Sequence, residues 1–234
     1  MGPHAASRVA DSVEIGALLL PAQRFTCSPL LLSFEGIDGS GKSTQARLLE
    51  AYLRDAGRSV LLVREPGGAT LSERVRELLL DPALDIAPFA ELLLFSAARH
   101  QLVEEVIRPA LAAGTVVLCD RFFDSTTAYQ GGGRGLAETE WLDAFHRRVT
   151  GGLVPRRTYL LDVPPEVGAG RRADRVADRM EAGGAAFFAR VRETYLALAE
   201  REPDRLSVLD GTRPEKDLHA AIVADVERLF AAAL

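Results

Sequence analysis

The sequence predicts an α/β protein: a five-stranded parallel sheet flanked by helices on both faces. Three observations carry that reading. Short apolar runs recur along the chain and alternate with segments of helical periodicity. The runs are apolar throughout, as strands buried on both faces require. The first run leads straight into Gly36-Ile37-Asp38-Gly39-Ser40-Gly41-Lys42-Ser43, a glycine-rich turn set between a strand and a helix.

The elements follow in order. Leu30 to Phe34 is the first strand, and Thr44 to Leu53 is the helix after the glycine-rich turn. Ser59 to Arg64, bounded by Gly57 and Pro66, reads as the second strand. Helical periodicity covers Leu71 to Leu80 and then Pro88 to Ala113, with Gly114 placed to close that helix in the left-handed conformation. Thr115 to Cys119 is the third strand, followed by helical segments at Thr126 to Tyr129 and Glu138 to Thr150. Thr158 to Val163 is the fourth strand, with helices over Pro165 to Ala177 and Ala185 to Glu202. Leu206 to Asp210 is the fifth strand, and an amphipathic helix runs from Pro214 to Ala233. With no repeat, heptad pattern or low-complexity linker, residues 30–234 read as one domain. Residues 1–29 read as a disordered or loosely attached extension. Within it Val13 to Leu20 is mildly apolar, but it carries Glu14 and lacks the basic start of a secretory signal.

Composition narrows the function. Of 234 residues 47% are hydrophobic, enough for a sizeable core, yet no run approaches the ~20 residues of a membrane span. The net charge of −5 gives no basic field for nucleic acid or an anionic membrane. Two cysteines, Cys27 and Cys119, make no disulfide framework and fit a reducing, cytoplasmic compartment. Among 28 basic residues only Lys42 and Lys216 are lysines. Base composition accounts for the arginine bias, and it makes the lysine in the turn conspicuous: a compact ammonium fits there where a planar guanidinium would not.

The turn has the spacing of a phosphate-binding P-loop. Its glycines let backbone N–H groups point inward, and the helix that follows adds its partial positive charge. Lys42 would reach the β- and γ-phosphates, and the Ser43 hydroxyl would ligate Mg²⁺. The other charged residues gather where ligands bind in such sheets, at the carboxyl ends of strands. These are Glu35, Arg64-Glu65 and Asp120-Arg121. Asp120 is placed to help hold Mg²⁺, directly or through water. Arg171, Arg172, Arg175 and Arg179 crowd one short segment. The i,i+4 pairs there, Arg171–Arg175 and Asp174–Asp178, are like-charged and give a helix no support. The cluster therefore reads as an arginine-rich lid, about residues 165–184, that neutralises a transferring phosphoryl group and excludes water.

The motifs together resemble the thymidylate kinase family, in the bacterial form with catalytic arginines in the lid. The residues that carry this are Phe34-Glu35-Gly36, Arg64-Glu65-Pro66-Gly67-Gly68, Leu94-Phe95-Ser96-Ala97-Ala98-Arg99, Asp120-Arg121-Phe122, Ser125 to Gly135 and Asp178-Arg179-Met180-Glu181. The resemblance implies a P-loop nucleoside-monophosphate kinase fold, phosphorylation of dTMP to dTDP with ATP and Mg²⁺ in dTTP synthesis, and a homodimer packed through helices. It implies that Gly36 to Ser43, with Thr44, cradle ATP, and that Arg171 and Arg175 act on its phosphates. Phe95 would stack on thymine, Arg99 would bond the base edge, and Arg64 and Arg121 would grip the dTMP phosphate. Asp38 would accept from the sugar 3′-OH. Thr126, Tyr129 and Gln130 would line the nucleoside pocket, Tyr129 against the 2′ position. Catalysis falls to Lys42, Arg121 and the lid arginines as fixed positive charge, with no covalent nucleophile. Two departures stand out. Phe122 replaces a Tyr or His in the Asp-Arg-x motif, which removes any polar role there. The lid is slightly short, which leaves the choice among Arg171, Arg172 and Arg175 open. The alternatives are another small-molecule kinase and a nucleotide-dependent switch; Arg64 and Arg121 together favour a monophosphate acceptor.

Overall fold

The computed structural model describes residues 30–136, 138–172 and 179–232. Within them β1 (Leu31–Glu35), β2 (Val60–Arg64), β3 (Val116–Asp120), β4 (Arg157–Asp162) and β5 (Leu206–Asp210) form one sheet. The order across it is β2-β3-β1-β4-β5, and every neighbouring pair is parallel. From β1 the chain crosses to the edge strand β2, returns to β3 beside β1, and then passes to β4 and β5 on the other side. The carboxyl end of β1 is thus the switch point, where a crevice opens in such folds.

The helices are α1 (Lys42–Asp55), α2 (Thr70–Leu80), α3 (Pro88–Leu102), α4 (Arg108–Ala112), α5 (Phe123–Thr126), α6 (Thr139–Thr150), α7 (Pro165–Gly170), α8 (Gly184–Arg201) and α9 (Glu215–Ala231). They explain why the inner strands β1, β3 and β4 are mostly apolar and buried, whereas the edge strands β2 and β5, expected to be apolar throughout, are covered on fewer sides and only partly buried. Leu32 and Phe34 point to one face, where they meet Leu49 and Leu53 of α1 and Ile222 and Val226 of α9. Leu31 points to the other, with Val117 and Cys119 of β3, against Leu102 and Ile107. Further along that sheet Leu160 packs with Phe187, Val191 and Tyr195 of α8. Each such side chain stabilises the fold by about 1.5–3 kcal/mol through burial.

Three helical expectations are refined. The helix expected over Pro88 to Ala113 is α3, a π-helical turn at Val103–Ile107, then α4. Pro109 explains the wide turn: it has no N–H to donate and its ring crowds the carbonyl four residues back. Gly114, at φ 76°, closes the run as expected. The short helix expected at Thr126 to Tyr129 is α5 followed by a π-helical stretch, Thr127–Gly133. The glycines there serve packing. A Cβ on Gly132 would collide with the Thr194 side chain, and one on Gly133 would come within 2.8 Å of Val191, so α8 lies directly on this segment. Finally, α7 ends at Gly170 rather than continuing toward Ala177, and residues 173–178 lie outside the described residues. So do residues 1–29, and with them the expected extension. Among the described residues no helix is long and apolar enough to cross a membrane.

Candidate active site

The glycine-rich turn joins β1 to α1. Gly36, Gly39 and Gly41 take φ values of 135°, 83° and 100°. A Cβ on Gly36 would collide with the Leu161 carbonyl, so the backbone can pass there only without a side chain. Lys42 opens α1, is buried, and donates from Nζ to the Ile37 carbonyl at 2.8 Å. Burial, helped by the Arg121 charge, pulls its pKa down to about 8 against the opposing pull of Asp38 and Asp120. A buried cation so poorly compensated favours an incoming anion. A cleft of about 600 Å³ opens over the loop, lined by residues 38–45 together with Arg64, Asp120, Arg121 and Arg171.

Ser43 and Asp120 meet at the edge of this cleft, the hydroxyl donating to Oδ2 of the carboxylate. Among the described residues no group of three or more His, Cys, Asp or Glu side chains is placed to hold a metal. One hydroxyl and one carboxylate beside a phosphate cradle is the hard-oxygen set that suits Mg²⁺, which keeps most of its waters.

Arg121 stands between two cavities. It follows β3 in the left-handed region, at φ 74°. Nη2 donates to Asp38 Oδ1 and, at 3.2 Å, to the Tyr129 hydroxyl, which itself donates to Asp38 Oδ2 at 2.9 Å. Nη1 donates to the Gly36 carbonyl and to Ser125 Oγ, each at 3.0 Å. Burial alone would raise the Asp38 pKa, but the Arg121 and Lys42 charges outweigh it and hold the carboxyl well below its usual range. Below Arg121 lies Glu35, with no exposed surface. It accepts from the Phe122 N–H and Ser125 Oγ, each at 2.6 Å, and from the Tyr195 hydroxyl at 2.8 Å. Burial, with the Asp124 charge, pushes its pKa up to about 7. The Glu35–Phe122 bond ties down the peptide that follows the strained Arg121 backbone.

The second cavity, about 100 Å³, shares Asp38, Glu65, Arg76 and Arg121 with the first and continues past them. Phe95, Arg99, Thr126, Tyr129 and Gln130 all line it, so the residues expected around a base come together from two separate stretches, α3 and residues 126–130. Arg99 is buried and donates to Glu65, Thr126 and the Phe122 carbonyl. Gln130 donates to Glu91 at 2.8 Å. Phe122 has no exposed surface and packs into the core, as its lack of a polar group requires. Arg64 is about half exposed at the cleft's rim and pairs with Glu73 at 2.9 Å.

The lid arginines divide. Arg171 lines the phosphate cleft, donating to the carbonyls of Gly39 and Gly211 at 3.2 and 3.0 Å. Arg172 turns away, donating to the Gly168 carbonyl at 3.2 Å and lying over the Phe188 ring. Arg179, counted with the phosphate-facing cluster in the sequence, instead pairs with buried Glu91 at 2.7 Å and donates to the Leu79 carbonyl. A carboxylate with no exposed surface demands cations, and Arg179 and Arg134 supply them. Arg175 lies outside the described residues. Sequence reasoning missed Glu65 and Arg76, which line both cavities, and Met180, which lines the smaller one. Arg76 sits mid-helix, where its spacing is that of any solvent-facing residue; Glu65, at a strand's carboxyl end, carried a signal that was left without a role.

Comparison with known proteins matches this geometry to a family. The thymidylate kinase family pattern matches residues 34–222. The chain belongs to the thymidylate kinase family. A thymidylate kinase of Deinococcus radiodurans is 52% identical over 198 residues, covering 84% of this chain and 96% of that one. One from Chlorobium chlorochromatii is 49% identical over 210 residues, covering 85% of this chain and 94% of its own. Among solved structures, thymidylate kinase from Ehrlichia chaffeensis superimposes with a TM-score of 0.69 at 34% identity, covering 85% of this chain and 98% of that chain. The thymidylate kinase match thus spans the P-loop, the Arg121 hub and both cavities.

Proposed function

We infer that the protein is an ATP-dependent nucleoside-monophosphate kinase that converts dTMP to dTDP. Membership of the thymidylate kinase family supports the reaction. The observation that carries the site reading is the pair of joined cavities with Arg121 and Asp38 on their common wall. ATP lies along Gly36 to Thr44 with its γ-phosphate near Lys42 and Arg171. dTMP lies in the smaller cavity, its base against Phe95 and Arg99 among Thr126, Tyr129 and Gln130. Its sugar 3′-OH donates to Asp38, and its phosphate faces Arg121 and Arg64. The acceptor oxygen attacks the γ-phosphorus in line as its bond to the β-phosphate oxygen breaks and ADP leaves. A phosphate dianion needs little base catalysis near neutral pH, so the protein's work is positioning and charge. Lys42, Arg121 and Arg171, with Arg175 from the lid, offset repulsion between two anions and stabilise the equatorial oxygens. Ser43 and Asp120 would hold Mg²⁺, which when bound supplies further positive charge at the phosphates.

On this reading residues 30–234 form the catalytic domain and residues 165–184 its lid, and the protein works in the cytoplasm as a homodimer. The dimer is supported by exposed Leu71 and Leu78 on α2, Phe89 and Leu93 on α3, and Trp141 on α6, three helices in mutual contact through α3. Lys42→Ala tests the site: the variant should fold, yet form dTDP from ATP and dTMP about 10²–10³-fold more slowly, as when one preorganised donor is removed. A folded variant with near wild-type dTDP formation would overturn the assignment.

A further inference from the structure

Two buried polar atoms on the wall of the nucleoside cavity have no hydrogen-bond partner among the described residues: Nη1 of Arg99 and Oε1 of Glu65. The two side chains are joined through their other atoms. Arg99 Nε donates to Glu65 Oε2 at 2.7 Å, with the side chains only 2% and 4% exposed. Arg99 Nη2 is also committed, to Thr126 Oγ1 at 3.0 Å and to the Phe122 carbonyl at 3.3 Å. A guanidinium is planar and rigid. Once Nε and Nη2 are held, the direction of the Nη1 hydrogens is set. Two of the three anchors are a hydroxyl and a carbonyl, and only Glu65 supplies counter-charge. Glu65 is itself well placed to anchor, since it follows β2 directly and its N–H donates to the Asp120 carbonyl at 3.0 Å.

We propose that Glu65 is a positioning residue that sets base specificity: it locks Arg99 so that Nη1 presents a fixed donor to the pyrimidine 4-position. The proposal rests on the reading of this cavity as the dTMP site. A 4-carbonyl accepts from that donor. A 4-amino group meets it donor to donor, and a locked guanidinium cannot turn aside, so both groups stay unsatisfied at a buried wall. Without Glu65 the guanidinium loses its counter-charge and its Nε anchor. It can then rotate away from an amino group, and it no longer holds its donor on a carbonyl. Discrimination falls because the favourable contact weakens while the unfavourable one is relieved.

The test is kcat/KM for dTMP and for dCMP in the wild type, Glu65→Gln and Glu65→Ala. The glutamine retains an oxygen for Arg99 Nε at nearly the same volume, so its dTMP-to-dCMP ratio should stay within about threefold of wild type. Glu65→Ala should lower the ratio by about tenfold or more, mainly by losing rate on dTMP. A purely structural role would lower both rates by one factor and leave the ratio unchanged; that result overturns the proposal. So does a Glu65→Gln ratio that falls as far as that of alanine. If Glu65→Ala does not fold, Glu65→Asp, with the carboxylate drawn back by one methylene, must itself lower the ratio, and an unchanged ratio there refutes the anchor. A wild type with no preference for dTMP would remove the site reading and the proposal together. A clear wild-type preference with an unchanged ratio in the variants removes the proposal alone.

Discussion

Replacing Arg121 with lysine separates charge from geometry. Both residues carry a Cβ, so the left-handed backbone at φ 74° is equally strained in each and cancels from the comparison. Positive charge beside Asp38 is kept. What is lost is reach: the fork now serves Gly36 and Ser125 through one nitrogen and Asp38 and Tyr129 through the other. A single ammonium cannot serve both sides and a phosphate as well. One charge-assisted contact missing in the transition state costs about 1.5–3 kcal/mol. At about 1.4 kcal/mol per decade, that is roughly a 10–150-fold loss in kcat/KM. The assay is coupled ADP release at saturating ATP with dTMP varied, paired with thermal melting. The expected result is that loss with a melting midpoint close to wild type. A kcat/KM within about twofold of wild type would refute the claim that fork geometry matters here. Collapse of the melt together with activity would mean that Arg121 acts through the fold.

The other predictions concern the cleft and the hub beneath it. Arg171→Ala should lower kcat far more than dTMP affinity, since Arg171 lines the ATP side of the cleft; Arg64→Ala should weaken dTMP binding by about 1.5–3 kcal/mol. Separate measurement of kcat and the dTMP dissociation constant decides this, and lid variants that lose only affinity would make these arginines acceptor clamps. Glu35 predicts a pH effect. Its folded pKa of about 7 lies above the ordinary 4.5, so the stability it contributes is full below pH 4.5 and is lost as pH rises to 7. Urea unfolding should show wild type losing up to roughly 3 kcal/mol relative to Glu35→Gln across that window, at about 1.4 kcal/mol per pKa unit. Parallel profiles for the two proteins would show that Glu35 does not titrate there.

Much of the site was legible because its chemistry restricts residue type locally. Only glycines fit the turn around phosphates, and only a strand and a helix flank it usefully, so Gly36 to Ser43 announced itself. Uniformly apolar runs gave the strands for the same reason they hid the sheet order: with both faces buried, Leu32 and Val117 carry no mark of which neighbour they pair with. The π-helical turns were hidden because they depend on long-range packing, as Gly132 and Gly133 make room for α8. Arg179 was misread because sequence shows a crowd of cations and not the buried anion that Arg179 answers, Glu91 in the first turn of α3. Glu65 lay in plain view, but its value depends on meeting Arg99 of α3 from the end of a strand.

The central claim is phosphoryl transfer from ATP to dTMP in the joined cavities. ADP release measured with dTMP, dUMP, dCMP, dAMP and dGMP, and with no acceptor, tests it most directly. The account predicts fast release with dTMP, weaker release with dUMP, poor release with the other three, and almost none without an acceptor. Equal turnover of dCMP and dTMP, or ADP release that does not depend on dTMP, would contradict it.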